Sequence, residues 1–184
     1  MIETGDNRSA LDAGLIARAQ AGDISAFEDL VRRYRNEVYA LCFYFTRNRE
    51  DAWVLSQEVF IKAWRALSRF RGDSSFKTWL MRIAINTCRD YLRTPWLRRV
   101  DRRVDMDTLP EETQSDPLPD SQVLDAVMAL PPKYKDVVLL RYYQDMKHKD
   151  IADTLGITVD VAKTRLKRAN EKLRRKLEGW YYDE

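Results

Sequence analysis

Between Lys163 and Lys176 the chain carries eight basic side chains (Lys163, Arg165, Lys167, Arg168, Lys172, Arg174, Arg175 and Lys176) against one acid, Glu171. A helix that only faces water usually mixes signs and gains i,i+4 Glu–Lys support. Here like charges repel along the segment, and an anion lying beside it would relieve that cost. A DNA phosphate backbone fits, and Lys or Arg toward the start of the segment can also reach guanine edges in a major groove. A basic helix that merely faces solvent is the competing reading. A second constellation has a different character. Arg82, Asn86, Arg89 and Arg93 recur at steps of four, three and four, which puts them on one helical face. Phe76, Trp79, Leu80 and Ile83 fall on other faces, and a polar loop, Gly72–Ser75, precedes them. Arginines for the phosphates and a loop able to take an unstacked base would suit single-stranded DNA. Phe76 and Trp79 could equally be plain core, and spacing alone leaves both readings open. A third patch, Asp51, Gln57 and Glu58 around Leu55 and Val59, offers acids and an amide to a protein partner with basic groups, although an ordinary solvated helix face would look the same.

Covalent chemistry has little to work with. His148 is the only histidine, so a Ser/His/Asp or Cys/His site would depend on one residue in a Lys-flanked segment. The sequence has no Gly-rich phosphate loop and no Cys/His metal spacing, so neither enzyme activity nor a cofactor, metal or small-molecule substrate is expected. Cys42 and Cys88 both sit in helical apolar patterns and read as buried small hydrophobes. No apolar run approaches the roughly 18–20 residues of a membrane span, and MIETGDNRSALDAG lacks a signal-peptide layout. A reduced, cytoplasmic protein is the expectation.

The elements that must position these residues are helical. Glycine and proline number only six each in 184 residues, and all six prolines lie at or after Pro95. Net charge is only +3, but its parts differ: residues 1–95 hold 15 basic and 12 acidic side chains, 96–122 hold 4 and 7, and 123–184 hold 13 and 10. The middle piece, with Pro110, Pro117 and Pro119 among its acids, reads as an extended linker. Before it, Phe27, Leu30, Val31, Tyr34, Val38, Leu41, Cys42 and Phe45 repeat at helical spacing. Leu55, Val59, Phe60, Ala63, Trp64 and Leu67 form a second core stripe. A third helix, about Phe76–Arg93, would be capped by Ser74 or Ser75 and stop before Pro95. After the linker, Pro131-Pro132 separates a short helix from one over Lys133 to about Tyr143, and Asp145-Met146 breaks the pattern. A short helix at Lys149–Thr154, a turn at Leu155–Ile157 and a long helix from Val159 to about Leu177, capped by Thr158, complete a helix-turn-helix. Ile151, Ala152, Leu155, Ile157, Val161 and Leu166 would form its small core.

Four stretches in this order, DAWVLSQEVFIKAWRAL (51–67), FRGDSSFKTWLMRIAINTCRDYLR (70–93), ALPPKYKDVVLLRYYQDM (129–146) and DIADTLGITVDVAKTRLKRANEKLRRKL (150–177), resemble the extracytoplasmic-function (ECF) sigma factors, alternative specificity subunits of bacterial RNA polymerase. The resemblance implies an all-α chain of two small helical domains. Residues 1–95 would be sigma domain 2, 96–121 a flexible linker and 122–184 sigma domain 4 with its helix-turn-helix. It implies that Asp51, Gln57, Glu58 and Lys62 dock on the clamp coiled coil of the largest polymerase subunit. Gly72, Asp73, Ser74, Ser75, Phe76 and Lys77, with Arg82, Asn86 and Arg89, would melt and read the −10 element and capture a flipped base. Lys163, Thr164, Arg165, Lys167 and Arg168 would read the −35 element as duplex. The polymerase flap region, promoter DNA and an anti-sigma factor, able to hold the chain at the membrane, are the further partners implied. The linker would run toward the RNA exit path.

Several positions depart from the family pattern. Trp53 and Val54 replace usual acids, which shifts clamp docking toward apolar contact, and Thr158 and Asp160 replace a usual Pro and Gly. Asp160 suits the helix dipole but repels phosphate, so the −35 preference is expected to differ from the usual one. Ala162 stands where a larger apolar residue is common, which predicts altered packing under the last helix. Two rival readings remain at this point: a helix-turn-helix regulator acting without polymerase, and a sigma-like adaptor unable to start transcription.

Overall fold

The computed structural model describes residues 5–93 and 121–181, the described parts of two compact units, and all their regular structure is helical. The expected linker, except Ser121, and its Arg98–Arg103 and acidic runs lie outside the described residues.

The first unit contains α1 (Gly5–Gln20), α2 (Ile24–Thr46), α3 (Arg49–Ala66) and α4 (Phe76–Arg93). Each break has a local cause. Asp23 accepts the Ala26 N–H at 3.2 Å to cap α2 and holds the Arg18 guanidinium at 2.6 Å. Arg47, left-handed at φ 56°, ends α2 by donating its N–H to the Phe43 carbonyl at 2.8 Å. Asn48 then caps α3 by accepting the Asp51 N–H at 3.0 Å. A single 3₁₀ turn, Leu67–Arg69, follows, and Ser75 caps α4, its Oγ accepting the Thr78 N–H at 3.1 Å. Of the two serines offered by the sequence, Ser75 does the capping.

α2 packs against α1, α3 and α4, and α3 against α4. Leu30, Val38, Leu41, Leu55, Val59, Leu80, Met81 and Ile85 are buried at the contacts. Each such side chain contributes about 1.5–3 kcal/mol by leaving water. Cys42 and Cys88 are free thiols in this core, their Sγ atoms 3.8 Å apart. The S–H···S contact and burial push the Cys42 thiol well up, which keeps it protonated and inert, as the sequence suggested. Two expected core residues differ. Val31 is only half-buried, and Trp64 is 38% exposed, lying across the Phe27 ring with centroids 4.9 Å apart. The stripe on α3 is narrower than the run of apolar residues that includes Trp64.

The second unit contains α5 (Ser121–Met128), α6 (Pro132–Val138), α7 (His148–Leu155) and α8 (Val159–Tyr181). Pro132 occupies the first turn of α6, where its missing N–H costs nothing. α6 widens into a π turn at Leu139–Tyr143, which the sequence pattern read as a plain continuation. Asp145, at φ 49°, reverses the chain, and the Met146 N–H returns to the Leu140 carbonyl at 3.0 Å. Gly156, at φ 65°, makes the tight turn between α7 and α8, a backbone shape that a side chain would strain. Thr158 Oγ1 then accepts the Val161 N–H at 3.3 Å and starts α8 as expected. α8 packs on α5, α6 and α7. Its inward face is Ala162, Leu166 and Ala169, all buried. Of the expected helix-turn-helix core, Ile151, Ala152 and Leu166 are buried and Leu155 and Ile157 half-buried, whereas Val161 is 39% exposed. The reason is angular: Ala162, Leu166 and Ala169 follow steps of four and three, and Val161 stands about 100° away from Ala162 around the axis.

Candidate nucleic-acid interface

On α4 the expected face is present. Arg82, Asn86 and Arg93 are exposed and Arg89 is half-buried, while Phe76, Leu80, Met81 and Ala84 turn into the core. At the head of this helix lies a cavity of about 440 Å³, lined by Phe70–Gly72 and Ser74–Lys77 of the loop and first helical turn, and by Asp12, Ile16, Gln20 and Tyr34 of α1 and α2. Phe76 is buried and forms its floor, with ring centroids 5.4 Å from Tyr34, 5.9 Å from Phe70 and 5.5 Å from Trp79. The two readings left open by spacing therefore meet in one residue: Phe76 is core and also cavity wall. Asp73 is exposed in the same loop, and Gly72, at φ 80°, takes the positive backbone angle that lets it turn.

Sequence reasoning missed the contribution of α1. Gln20 Nε2 donates to the Leu67 and Phe70 carbonyls, both at 2.9 Å, and so ties the loop's entry to α1. Asp12 is buried, accepting from the Tyr34 hydroxyl and, at 3.0 Å, from Arg33. No local pattern marks these residues, because only tertiary packing carries them to the cavity.

On α8, Lys163, Thr164, Lys167 and Arg168 are exposed and Arg165 half-buried. A cavity of about 330 Å³ opens between this helix and α6, lined by Thr164, Arg165 and Arg168 together with Lys133, Tyr134, Asp160 and Val161. Tyr134 draws cations to its ring, with Lys133 Nζ at 5.1 Å and Lys172 Nζ at 5.8 Å from the centroid. No local pattern marks α6 as the source of these groups.

The α3 patch divides. Asp51, Glu58 and Lys62 follow steps of seven and four, so they share the face turned to α4. The Tyr91 hydroxyl donates to Asp51 at 2.6 Å, Lys62 Nζ donates to Thr87 Oγ1 at 3.2 Å, and Lys62 pairs with Glu58 at 2.9 Å. Gln57 lies on a different, exposed face with Ile61 (51% exposed) and Trp64. Ile61 and Trp64 were missed as surface residues, although Trp53 and Val54 had already marked this helix as unusually apolar. Among the described residues no helix is long and apolar enough to cross a membrane.

Two helical units, one with a cationic face running from a cavity of about 440 Å³ and one with a cationic helix-turn-helix, have the architecture of a two-domain helical DNA-binding protein. The family model for Sigma-70 region 2 matches residues 30–98, and that for Sigma-70 region 4 matches residues 120–173. The ECF RNA polymerase sigma-E factor of Haemophilus influenzae is 34% identical over 182 residues, covering 91% of this chain and 95% of that one. The RNA polymerase sigma-H factor of Pseudomonas aeruginosa is 32% identical over 181 residues, covering 91% and 94%. Among solved structures, CnrH in complex with the cytosolic domain of CnrY has a TM-score of 0.73 and 27% identity, covering 92% of this chain and 98% of that one. The sigma factor RpoE of Bartonella quintana, solved with the anti-sigma factor NepR, shares the fold, with a TM-score of 0.64, 20% identity and coverage of 86% and 98%. The chain belongs to the ECF RNA polymerase sigma factors. The all-α fold and the resemblance read from the four ordered stretches are borne out, and the two rival readings are not favoured.

Proposed function

We propose that this chain binds core RNA polymerase through its first unit and directs it to promoters by reading two DNA elements in two physical states. Gly72–Lys77, with Arg82, Asn86 and Arg89, takes the −10 element as single strand. Lys163, Thr164, Arg165, Lys167 and Arg168 take the −35 element as duplex. The observation that carries this reading is the cavity of about 440 Å³ at the head of the cationic α4 face. Its volume falls within the about 300–1,000 Å³ typical of ligand sites. An unstacked base held there, with phosphates along Arg82, Asn86 and Arg89, offsets an unstacking cost of a few kcal/mol. α8 needs no cavity for its task, since a straight helix with exposed cations enters a major groove directly.

Docking on the clamp coiled coil is assigned to α3. Gln57 presents its amide on the outward face, and Asp51, Glu58 and Lys62 set the edge of that surface where α3 meets α4. Residues 1–95, 96–121 and 122–184 act as sigma domain 2, linker and sigma domain 4. The chain does no covalent chemistry of its own, and synthesis belongs to the core enzyme, in the cytoplasm. An anti-sigma factor is the further protein partner in this reading, and the similar chain CnrH is solved in complex with another protein, the cytosolic domain of CnrY.

The test mixes the purified chain with core RNA polymerase and maps transcript starts on genomic DNA. Discrete starts that depend on the added chain support the proposal. Co-elution with core without such starts leaves only an adaptor, and absence of co-elution overturns the reading.

A further inference from the structure

Val161 is an apolar side chain in a cationic setting. It was expected in the core, yet it is 39% exposed, while Ala162 and Leu166 beside it are 1% and 7% exposed and carry the packing. Among the described residues it is the only exposed large hydrophobic side chain of α8. It lines the same cavity as Thr164, Arg165 and Arg168. Val161, Arg165 and Arg168 follow steps of four and three and therefore share the face assigned to the −35 duplex.

We propose that Val161 reads the 5-methyl group of a thymine in the −35 duplex and makes that methyl a promoter determinant for this chain. This inference rests on the −35 reading above. Phosphates and base amides give nothing to a valine, and the thymine methyl is the apolar group that a major groove presents. The side chain is suited to the task, because β-branching in a helix holds χ1 largely in one rotamer, so its methyl groups are fixed before DNA arrives. Asp160, exposed one residue earlier in the same cavity wall, repels phosphate. That steers the first turn of α8 toward base edges and leaves the backbone contacts to Arg165, Lys167 and Arg168. Removing one buried methyl corresponds to about a fourfold change in affinity.

The experiment uses the full chain assembled with bacterial core RNA polymerase. Promoter duplexes are randomised across the −35 segment, which is synthesised either with thymidine or with deoxyuridine and ligated to an unchanged −10 segment. From the thymidine library the holoenzyme should enrich a motif with thymine at one position. The same position should lose its preference in the deoxyuridine library, with the remaining motif intact. On the selected duplex, a single thymine-to-uracil change should weaken wild type about fourfold and leave Val161→Ala unchanged. Val161 is exposed, so the variant should fold as wild type. Identical motifs from both libraries, or methyl sensitivity that persists in Val161→Ala, overturn this inference alone. Enrichment of no −35 motif from either library overturns the duplex reading and this inference with it.

Discussion

The two faces proposed for DNA differ in how they are built. The α4 site is concave and composite: its walls come from α1, α2, the loop at 70–75 and the first turn of α4. The α8 site is mostly one helix, with Lys133 and Tyr134 of α6 at its side. Holding an unstacked base requires enclosure, and enclosure requires several elements. Reading a duplex requires a projecting helix, which a local segment can supply. The comparison therefore predicts that the first site fails when distant packing fails, while the second fails only through its own side chains.

The largest expected effect tests the packing half. Phe76 is 3% exposed and meets three other rings, so Phe76→Ala should destabilise the first unit by about 3–5 kcal/mol. Urea unfolding monitored by residues of each unit would measure it. A loss below about 1 kcal/mol would remove Phe76 from the core and from the cavity floor. Next comes Gln20→Ala, which strips two hydrogen bonds from the loop's entry and should cost about 1–2 kcal/mol. It should weaken binding of the single-stranded −10 strand while leaving −35 duplex affinity of the same chain unchanged. Equal loss at both would contradict the separation of the two sites.

Arg168→Ala probes the other half. The residue is exposed, so unfolding should change by no more than about 0.5 kcal/mol. Duplex binding should weaken uniformly across sequences, with the salt slope reduced by about one unit. A slope equal to that of wild type in a titration from low to moderate salt would remove Arg168 from the phosphate contacts.

The same contrast explains what could be read from residues alone. α8 was legible because its charge imbalance, its Thr158 cap and its Gly156 turn are all local signals, and even its cationic face falls within one run of residues. The boundaries of α4 were legible for the same reason, through Ser75 and Pro95. The places of Asp12 and Gln20 in the cavity were not, because nothing in their own neighbourhood refers to a loop fifty or more residues away, and Tyr34 was legible as core but not as cavity wall. Val161 and Trp64 were misplaced for a different reason. Both are apolar residues in helical apolar patterns, and only the angle of packing decides which neighbour faces inward; at α8 Ala162, the smaller residue, took the core position. The family resemblance named Gly72–Lys77 as one element but did not reveal that the Phe76 ring lines a cavity there.

The smallest effect separates the two units by their helix caps. α2 is capped by a titratable group and α8 by a neutral hydroxyl. Hydrogen bonds from Ser25, Arg18 and the Ala26 N–H hold the Asp23 carboxyl down from the usual 3.8 to about 2. A carboxyl lowered in the folded state binds its proton more weakly there than in the unfolded chain. Its contribution is thus fully present above about pH 4 and is lost as pH falls toward 2. The stability difference between wild type and Asp23→Asn should accordingly shrink as pH is lowered from 5 to 2. The difference between wild type and Thr158→Ala should stay constant, since a hydroxyl cap does not titrate there. Solvent screening keeps the first effect small, because Asp23 is accessible. Carboxyl NMR offers the direct reading: an Asp23 midpoint near 3.8 would remove the cap's titration, and a pH-dependent Thr158→Ala difference would show that the two units do not respond separately to acid.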